Sequence, residues 1–483
     1  MGCCKRNIVS ILLVVGCVFI VFGAVLALIW NTIYHGILYS EFALTESSKS
    51  YEFWKETPIP IYFKIHIFNW TNAPEVVNSK WTVKPNLQEL GPYVFYEHHV
   101  RVNVTWNEND SITFKQRKTW RFEPSLSNGT LQDIITSVNP VCVVIGQKVE
   151  TMPSIAKKVI NKILEYAEKK LYMSKTVDEL LFTGYHDKIL DLLSDFHITM
   201  PYDKFGWFYN KNNSDTFDGN FTMNTGKTNL NLLGELSLWN GLPETNVYTN
   251  SCSKVRGSTG ELWPPVENNK NITIFSSDIC GTLSFIHNGS ELTCGITGKK
   301  FIGTDFAFDN GTKYPEQACF RGETVIPSGL RDISKCQYGA PVFLSYPHFY
   351  LADSIYKEKV NGVKPNKTEH EPYLELEGIT GIPLNVKVQL QLNMYLKSIE
   401  NMSMFANIKP TYLPILWFSQ NALLTQQYCS STKLLVGVSV FGLYLGWFLF
   451  GLGLIQSIIV IVLLLRKHDK EPDEPLIENE ETS

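Results

Sequence analysis

The chain has 483 residues and a net charge of −4, from 43 basic and 47 acidic side chains, which leaves no basic footprint for nucleic acid. A hydrophobic fraction of 44 % and 22 tyrosines suit a large folded, β-rich body with two membrane spans. The roughly 400 residues between those spans are enough to bury a substantial core unaided.

Residues 1–7 carry Lys5 and Arg6 and lead into an apolar run over residues 8–30, after which no lysine or arginine occurs until Lys49. A cleaved signal peptide also starts basic and turns apolar, but its apolar part lasts about 7–15 residues and ends in small side chains. This run is longer and ends Leu28-Ile29-Trp30, so it reads as an uncleaved span. Cys3 and Cys4 lie beside the bilayer and are candidates for S-palmitoylation. Arg6 stands where N-myristoylation wants Ser or Thr, so that modification is rejected.

The stretch that follows reads as strands. Ile59, Ile61, Phe63, Ile65 and Ile67 alternate with polar or aromatic neighbours, and Val100, Val102, Val104 and Trp106 repeat the pattern. The turn Asn107-Glu108-Asn109-Asp110 then leads into Ile112 and Phe114. The clearest case sets Val386, Val388, Leu390, Leu392, Met394 and Leu396 against Lys387, Gln389, Gln391, Asn393 and Tyr395. Period two implies one buried and one wet face, hence antiparallel sheet closed as a sandwich or barrel. One region differs: Ile155, Val159, Ile160, Ile163, Leu164, Ala167 and Leu171 recur at helical spacing, with Lys157, Lys158, Lys162, Lys169 and Lys170 on the polar side. Thr176-Val177-Asp178-Glu179 is a capping box that opens a second helix, and Lys188 to Leu193 reads as a third. A helical subdomain over about 152–195 is therefore predicted within the β body. Its five lysines either attract anionic ligands or form a solvated helix face.

Seven cysteines lie between the two apolar runs (Cys142, Cys252, Cys280, Cys294, Cys319, Cys336 and Cys429), and their clustering reads as disulfide stapling in an oxidising compartment, with the pairs open. The same region holds eleven Asn-x-Ser/Thr sequons: Asn69, Asn103, Asn109, Asn128, Asn212, Asn220, Asn271, Asn288, Asn310, Asn366 and Asn401. Their confinement there votes for an extracytoplasmic domain. No catalytic motif occurs: Gly295-Ile-Thr-Gly298-Lys299-Lys300 fails the phosphate-loop spacing, and neither HExxH nor GxSxG is present. No enzyme activity, cofactor or metal is expected.

The second apolar run, residues 434–465, is interrupted only by glycines, Ser439, Gln456 and Ser457, and Arg466, Lys467, His468 and Lys470 follow. About 20 apolar residues cross the hydrocarbon layer, and flanking basic residues stay on the cytoplasmic side. Residues 1–7 and 466–483 are thus predicted inside and residues 31–433 outside. Gly442-Leu-Tyr-Leu-Gly446 fits a helix-packing face, which suggests homo-oligomers.

The chain resembles the class B scavenger receptors, a family that includes fatty-acid and lipoprotein scavenger receptors and the type-two lysosomal integral membrane protein. The likeness runs in order through Trp54-Lys-Glu-Thr-Pro58-Ile-Pro60-Ile-Tyr62, Phe68-Asn69-Trp-Thr71-Asn72, Glu89-Leu-Gly91-Pro92-Tyr93, Asp178-Glu-Leu-Leu181, Phe275-Ser-Ser-Asp278-Ile-Cys280, Pro347-His348-Phe349 and Gly378-Ile-Thr-Gly381. It implies an antiparallel β-barrel ectodomain with an internal lipid tunnel, capped by an apical helical bundle and anchored by two transmembrane helices. It also implies disulfides Cys252–Cys319 and Cys280–Cys336, and it leaves Cys294 either bonded to Cys142 or free. The family's lipid-contacting apical lysine has Lys169 and Lys170 as its nearest counterparts here. The tail Glu471-Pro-Asp473-Glu474-Pro475-Leu476-Ile477 looks like the lysosomal member's acidic dileucine signal, with Pro472 where the strict form has an acid.

The leading expectation is a plasma-membrane receptor for lipids and fatty acids, lipoproteins, or anionic lipid-bearing particles and apoptotic debris, with Lys157, Lys158, Lys162, Lys169 and Lys170 as ligand contacts. One alternative is a late endosomal or lysosomal receptor that carries a lumenal hydrolase or lipid, with Leu476-Ile477 as its sorting signal. The other is a two-span ligand-gated channel, against which stands the scarcity of polar side chains in the spans.

Overall fold

The computed structural model describes residues 2–187, 189, 203–322 and 325–468, with side chains between residues 8 and 466. The described residues form two compact units, a terminal pair within 2–41 and 430–468 and a body within 42–429. Among the described residues the α-helices are α1 (Gly2–Phe42), α2 (Lys49–Lys55), α3 (Ala73–Asn78), α4 (Pro140–Val149), α5 (Ser154–Tyr166), α6 (Val177–Leu181), α7 (Ser354–Lys357), α8 (Lys367–His370) and α9 (Gln426–His468). The strands are β1 (Ile61–Trp70), β2 (Leu87–Trp106), β3 (Ser111–Phe122), β4 (Ile134–Val138), β5 (Tyr172–Thr176), β6 (Asn220–Asn224), β7 (Leu236–Trp239), β8 (Asn271–Ser276), β9 (Gly281–Thr293), β10 (Ile296–Ile302), β11 (Arg331–Asp332), β12 (Val342–Ser345), β13 (Tyr373–Glu377), β14 (Pro383–Leu396) and β15 (Thr411–Leu423).

In the terminal unit, α1 and α9 contain the two segments long and apolar enough to cross a bilayer, Ile8–Phe42 and Gln426–Arg466. Lipid tails are as apolar as leucine, so such helices associate through close backbone approach and hydrogen bonds. A Cβ added to Gly23 would lie 2.4 Å from Phe450 N, and one added to Gly446 would lie 2.6 Å from Ala27 N. Trp30 Nε1 donates to Val438 O and Ser439 O, both at 3.1 Å, Tyr34 Oη donates to Leu435 O at 3.2 Å, and Gln456 Nε2 donates to Leu12 O at 3.0 Å. Trp30 also fills the space beside Gly442. The Gly442–Gly446 face expected to join two copies is therefore occupied by α1 of the same chain.

The body is one antiparallel sheet plus a separate β4-β5 pair. The strand order is β7-β6-β3-β2-β1-β15-β14-β13-β10-β9-β8, with β12 and then β11 attached to β14. Two free edges would leave rows of unpaired backbone groups. Here a short segment joins them: Leu236 N of β7 donates to Gly257 O at 2.9 Å, Ser258 N donates to Thr273 O of β8 at 3.0 Å, and Phe275 N donates to Ser258 O at 2.9 Å. Gly257 is at φ +83°, and a Cβ there would come within 2.4 Å of Thr273 O, so this bridge needs glycine.

The predicted strands are present, but burial on two of them departs from the expected alternation. On β14, Leu390, Met394 and Leu396 are buried as expected and Val386, Val388 and Leu392 are half-buried, while Gln391 and Asn393 at 0 % exposure and Gln389 at 1 %, from the row expected to be wet, are sealed. On β2, Val100, Val102, Val104 and Trp106 are half-buried and the opposite row Glu97, His99 and Arg101 is buried. Alternation says which residues share a face; it does not say which face is covered.

The apical helices also differ from expectation. α4 was not anticipated, because its Val-Cys-Val-Val-Ile run is buried all round and so lacks a helical period; Asn139 caps it by accepting from Cys142 N at 3.3 Å. α5 stops at Tyr166 rather than Leu171, so Lys169 and Lys170 lie beyond it. The capping box forms as read, with Glu179 N donating to Thr176 Oγ1 at 3.2 Å and Thr176 N donating to Glu179 Oε2 at 3.0 Å. Of the third helix, 188–193, only Ile189 is among the described residues.

Cys252 is bonded to Cys319 and Cys280 to Cys336. Cys294 is bonded to Cys429, not to Cys142, which is buried with its thiol pushed up to about 12 by desolvation. The third bridge ties the β9–β10 turn to the end of the body.

The helix pairing makes a direct prediction. Gly446→Ile should lower the thermal stability of the detergent-solubilised chain by about 1–3 kcal/mol. Gly437→Ile should leave the melt unchanged, because no atom lies within 4 Å of a Cβ there.

Candidate functional site

The face of the sheet that carries Phe63, Phe95, Trp120, Phe418 and Val388 is concave, since side chains two strands apart meet on it. Phe63 of β1 lies 6.1 Å from Trp120 of β3, and Gln420 of β15 donates to both Glu97 oxygens of β2 at 3.0 Å. Towards the apex the lining is aromatic: Phe63 touches Phe208 and Phe418, and Phe182 touches Phe95, Trp120 and Phe208. Trp120, Phe122, Val386, Val388, Phe418 and Gln420 on this face all keep partial exposure. Apolar side chains on the inner face of the closed ring are therefore not all covered by their neighbours.

Below the aromatics the same face is charged. His99 Nδ1 is 2.5 Å from Glu261 Oε1, and its Nε2 is 2.5 Å from Glu97 Oε1. Arg101 pairs with Glu261 as well and donates to Thr57 Oγ1 at 2.9 Å, while Thr57 donates to Glu261 Oε2 at 2.7 Å. Burial opposes charge on His99, but Glu261 and Glu97 on either side outweigh it and push its pKa up to about 9. Glu261 is desolvated too, yet Arg101 and His99 hold its carboxyl well below the usual range. Two cations and two anions thus form a neutral buried quartet, which pairing and hydrogen bonding make tolerable. Beside it Lys118 Nζ lies 3.1 Å from Asp218 Oδ2, and Ser277 donates to Asp218 at 2.8 Å. No motif marks this quartet; the alternation of Glu97, His99 and Arg101 on one strand is the signal that could have found it.

The five apical lysines do not form one surface. Lys158 and Lys162 are exposed on α5, one turn apart, with Lys162 2.7 Å from Glu165; Lys157 is half-buried. Lys169 is held 2.5 Å from the buried Asp187, and Lys170 sits 5.9 Å over the Tyr172 ring. Ile155 and Val159, expected in the core, are exposed, at 78 % and 42 %, and Tyr166 is 91 % exposed. Only Ile160 and Leu164 of α5 are fully buried. The outward face of α5 is therefore both apolar and cationic. No sequon asparagine lies between Asn128 and Asn212, and all eleven sequon asparagines keep solvent access. Leu476 and Ile477 lie outside the described residues, and the Cys3 and Cys4 side chains are likewise not described.

An antiparallel barrel-like sheet with added helices, flanked in the sequence by two helices long and apolar enough to cross a membrane, defines a class of membrane protein. The model of the CD36 family matches residues 14–464, and the chain belongs to that family. It is 33 % identical to scavenger receptor class B member 1 of Mus musculus over 94 % of this chain and 89 % of that protein. It is 32 % identical to protein peste of Drosophila melanogaster over 86 % of this chain and 75 % of that one, and 27 % identical to lysosome membrane protein 2 of Rattus norvegicus over 88 % and 87 %.

Breaking the quartet should be costly. His99→Gln leaves Glu97 and Glu261 undercompensated and should destabilise the body by about 3–5 kcal/mol in a denaturation series. Because the folded pKa of about 9 lies above the ordinary 6.5, His99 contributes its full stabilisation below pH 6.5 and loses it as pH rises through 9. The wild-type melt should fall across that alkaline window, and the variant's melt should be flatter.

Proposed function

We propose that this protein is a receptor that captures lipids or lipid-bearing particles at its apex and passes hydrophobic cargo through the barrel toward the membrane. The observation that carries this reading is the half-open apolar lining at Val386, Val388, Phe418, Trp120 and Phe122 inside a ring whose backbone is closed. A lined hollow gives acyl chains a place out of water, and the apolar, cationic face of α5 suits the surface of an anionic lipid particle. Residues 31–433 face outward and both termini lie in the cytoplasm at the plasma membrane, with Cys3 and Cys4 acylated beside it. No catalytic step is needed. The channel alternative is disfavoured, because Gln456 and Trp30 spend their polar groups on the helix pairing.

The docking residues on this reading are Lys158 and Lys162, with Ile155, Val159 and Tyr166; Lys169 is excluded by its pairing with Asp187. Lys158→Glu combined with Lys162→Glu should reduce cellular uptake of anionic phospholipid vesicles severalfold at unchanged surface expression. Unchanged uptake would remove the apex from the account.

A lysosomal or late endosomal receptor is the second reading. It is favoured by the tail Asp473-Glu474-Pro475-Leu476-Ile477 and by similarity to a protein named for the lysosome membrane. On that reading, replacing Leu476 and Ile477 by alanine should shift the steady-state protein from lysosomes to the cell surface; a distribution unaffected by the change would leave the plasma membrane as its site.

A further inference from the structure

On the outer side of β1, β14 and β15, away from the lining just described, three histidines gather on one carboxylate. His66 Nδ1 of β1 lies 2.6 Å from Glu89 Oε1, and His348 Nε2 lies 2.9 Å from Glu89 Oε2, so each oxygen of this β2 side chain has an imidazole nitrogen at ion-pair distance. His370 stacks on His348 with ring centroids 4.4 Å apart and planes within 14°, and its edge meets Trp417 of β15 at 5.7 Å. His348 and His370 are each about 3 % exposed.

The two stacked rings hold backbone through their other nitrogen. Lys364 N donates to His348 Nδ1 at 3.0 Å, and Asn366 N donates to His370 Nδ1 at 2.9 Å. A nitrogen that accepts from an N–H has its lone pair free, so in this arrangement neither Nδ1 carries a proton. The segment concerned runs over residues 362–371: His348 lies outside it and holds it through Lys364, while His370 lies within it and closes its own turn on Asn366. Its start is pinned by groups that do not titrate: Leu87 N donates to Asn361 O at 3.0 Å, and Asn361 N donates to Pro85 O at 2.8 Å. Gly362 follows at φ +95°, where a side chain would strike Leu87 O, so the chain turns sharply there.

We propose that residues 362–371 form an acid-released strap on the outer wall of the barrel, closed while the Nδ1 atoms of His348 and His370 accept the amides of Lys364 and Asn366. Adding a proton to either nitrogen sets two N–H groups against each other and places a positive charge against a stacked imidazole. The surroundings do not compensate it. Glu89 already serves His66 and His348. Lys387 of β14 is itself cationic and donates to Thr368 O at 3.3 Å and Glu369 O at 2.7 Å. The Glu369 carboxylate is largely exposed and 3.9 Å from His370 Nε2, and Glu371 accepts from Tyr350 at 3.3 Å and lies 3.8 Å from Lys367. Burial and then the neighbouring His348 accordingly hold His370 down at about 4, from an ordinary 6.5. A group depressed in this direction stabilises the closed strap above pH 6.5 and withdraws that stabilisation as pH falls toward 4. The window covers endosomal and lysosomal acidity, so a receptor that cycles through such compartments would lose its strap there and regain it at the surface. This inference does not depend on the cargo or on the apex.

The test is hydrogen exchange read by mass spectrometry on the full chain in detergent, at about pH 7.4 and about pH 4.8, corrected for intrinsic rates. Protection of the Lys364 and Asn366 amides should fall by about tenfold or more at the lower pH, while peptides from β1 and β2 keep theirs. His370→Asn keeps an acceptor near the Nδ1 position that does not titrate, and it should preserve protection at acid pH. His348→Asn is the second variant should the first fail to fold. Equal corrected protection of the wild type at both pH values would overturn the proposal, as would acid opening undiminished in both variants.

Discussion

The body depends on how its sheet closes. Eleven strands in sequence would leave β7 and β8 as open edges, and the segment at Gly257–Ser258 hydrogen-bonds to both, turning a sheet into a ring. Glycine at 257 lets the backbone come close enough to Thr273 for that bond to form. Once the ring is closed, side chains on one face share its interior, and part of the other face is covered by loops. Gln389, Gln391 and Asn393 on the outer row of β14 are buried there, while Val386, Val388 and Leu392 on the inner row stay half-buried.

The closing segment is held a second time by charge. Glu261 lies three residues beyond Ser258 and takes both His99 and Arg101 of β2, with Thr57 completing the group. Ion pairs of this kind add little when exposed, but when buried they enforce a single arrangement, because separating them strands a charge. The lining therefore changes along the barrel, aromatic toward the apex and charged farther down. The charged part fixes the wall beneath the aromatic part.

Much of this was legible in the amino-acid sequence. The terminal spans were, because an apolar run of more than 20 residues has little other use, and so were β1 and β14 through their alternation. What alternation could not supply was the covered side: Gln389, Gln391 and Asn393 look like a wet row, yet residues 346–371 lie over that part of the wall. α4 escaped notice because a helix buried all round has no polar stripe. The Cys294–Cys429 bond spans 135 residues and follows from three-dimensional proximity alone. The lysines of this region are visible in the sequence, but only the fold separates Lys158 and Lys162, which are exposed, from Lys169, which is paired with Asp187.

A hollow barrel is the claim on which the rest stands, and a photoactivatable fatty acid supplied to cells expressing the full chain tests it most directly. Cross-linked peptides should come from the inner rows of β14 and β15, around Val388 and Phe418, and should be competed away by unlabelled fatty acid. Cross-links confined to α1 and α9, with none inside the body, would contradict it.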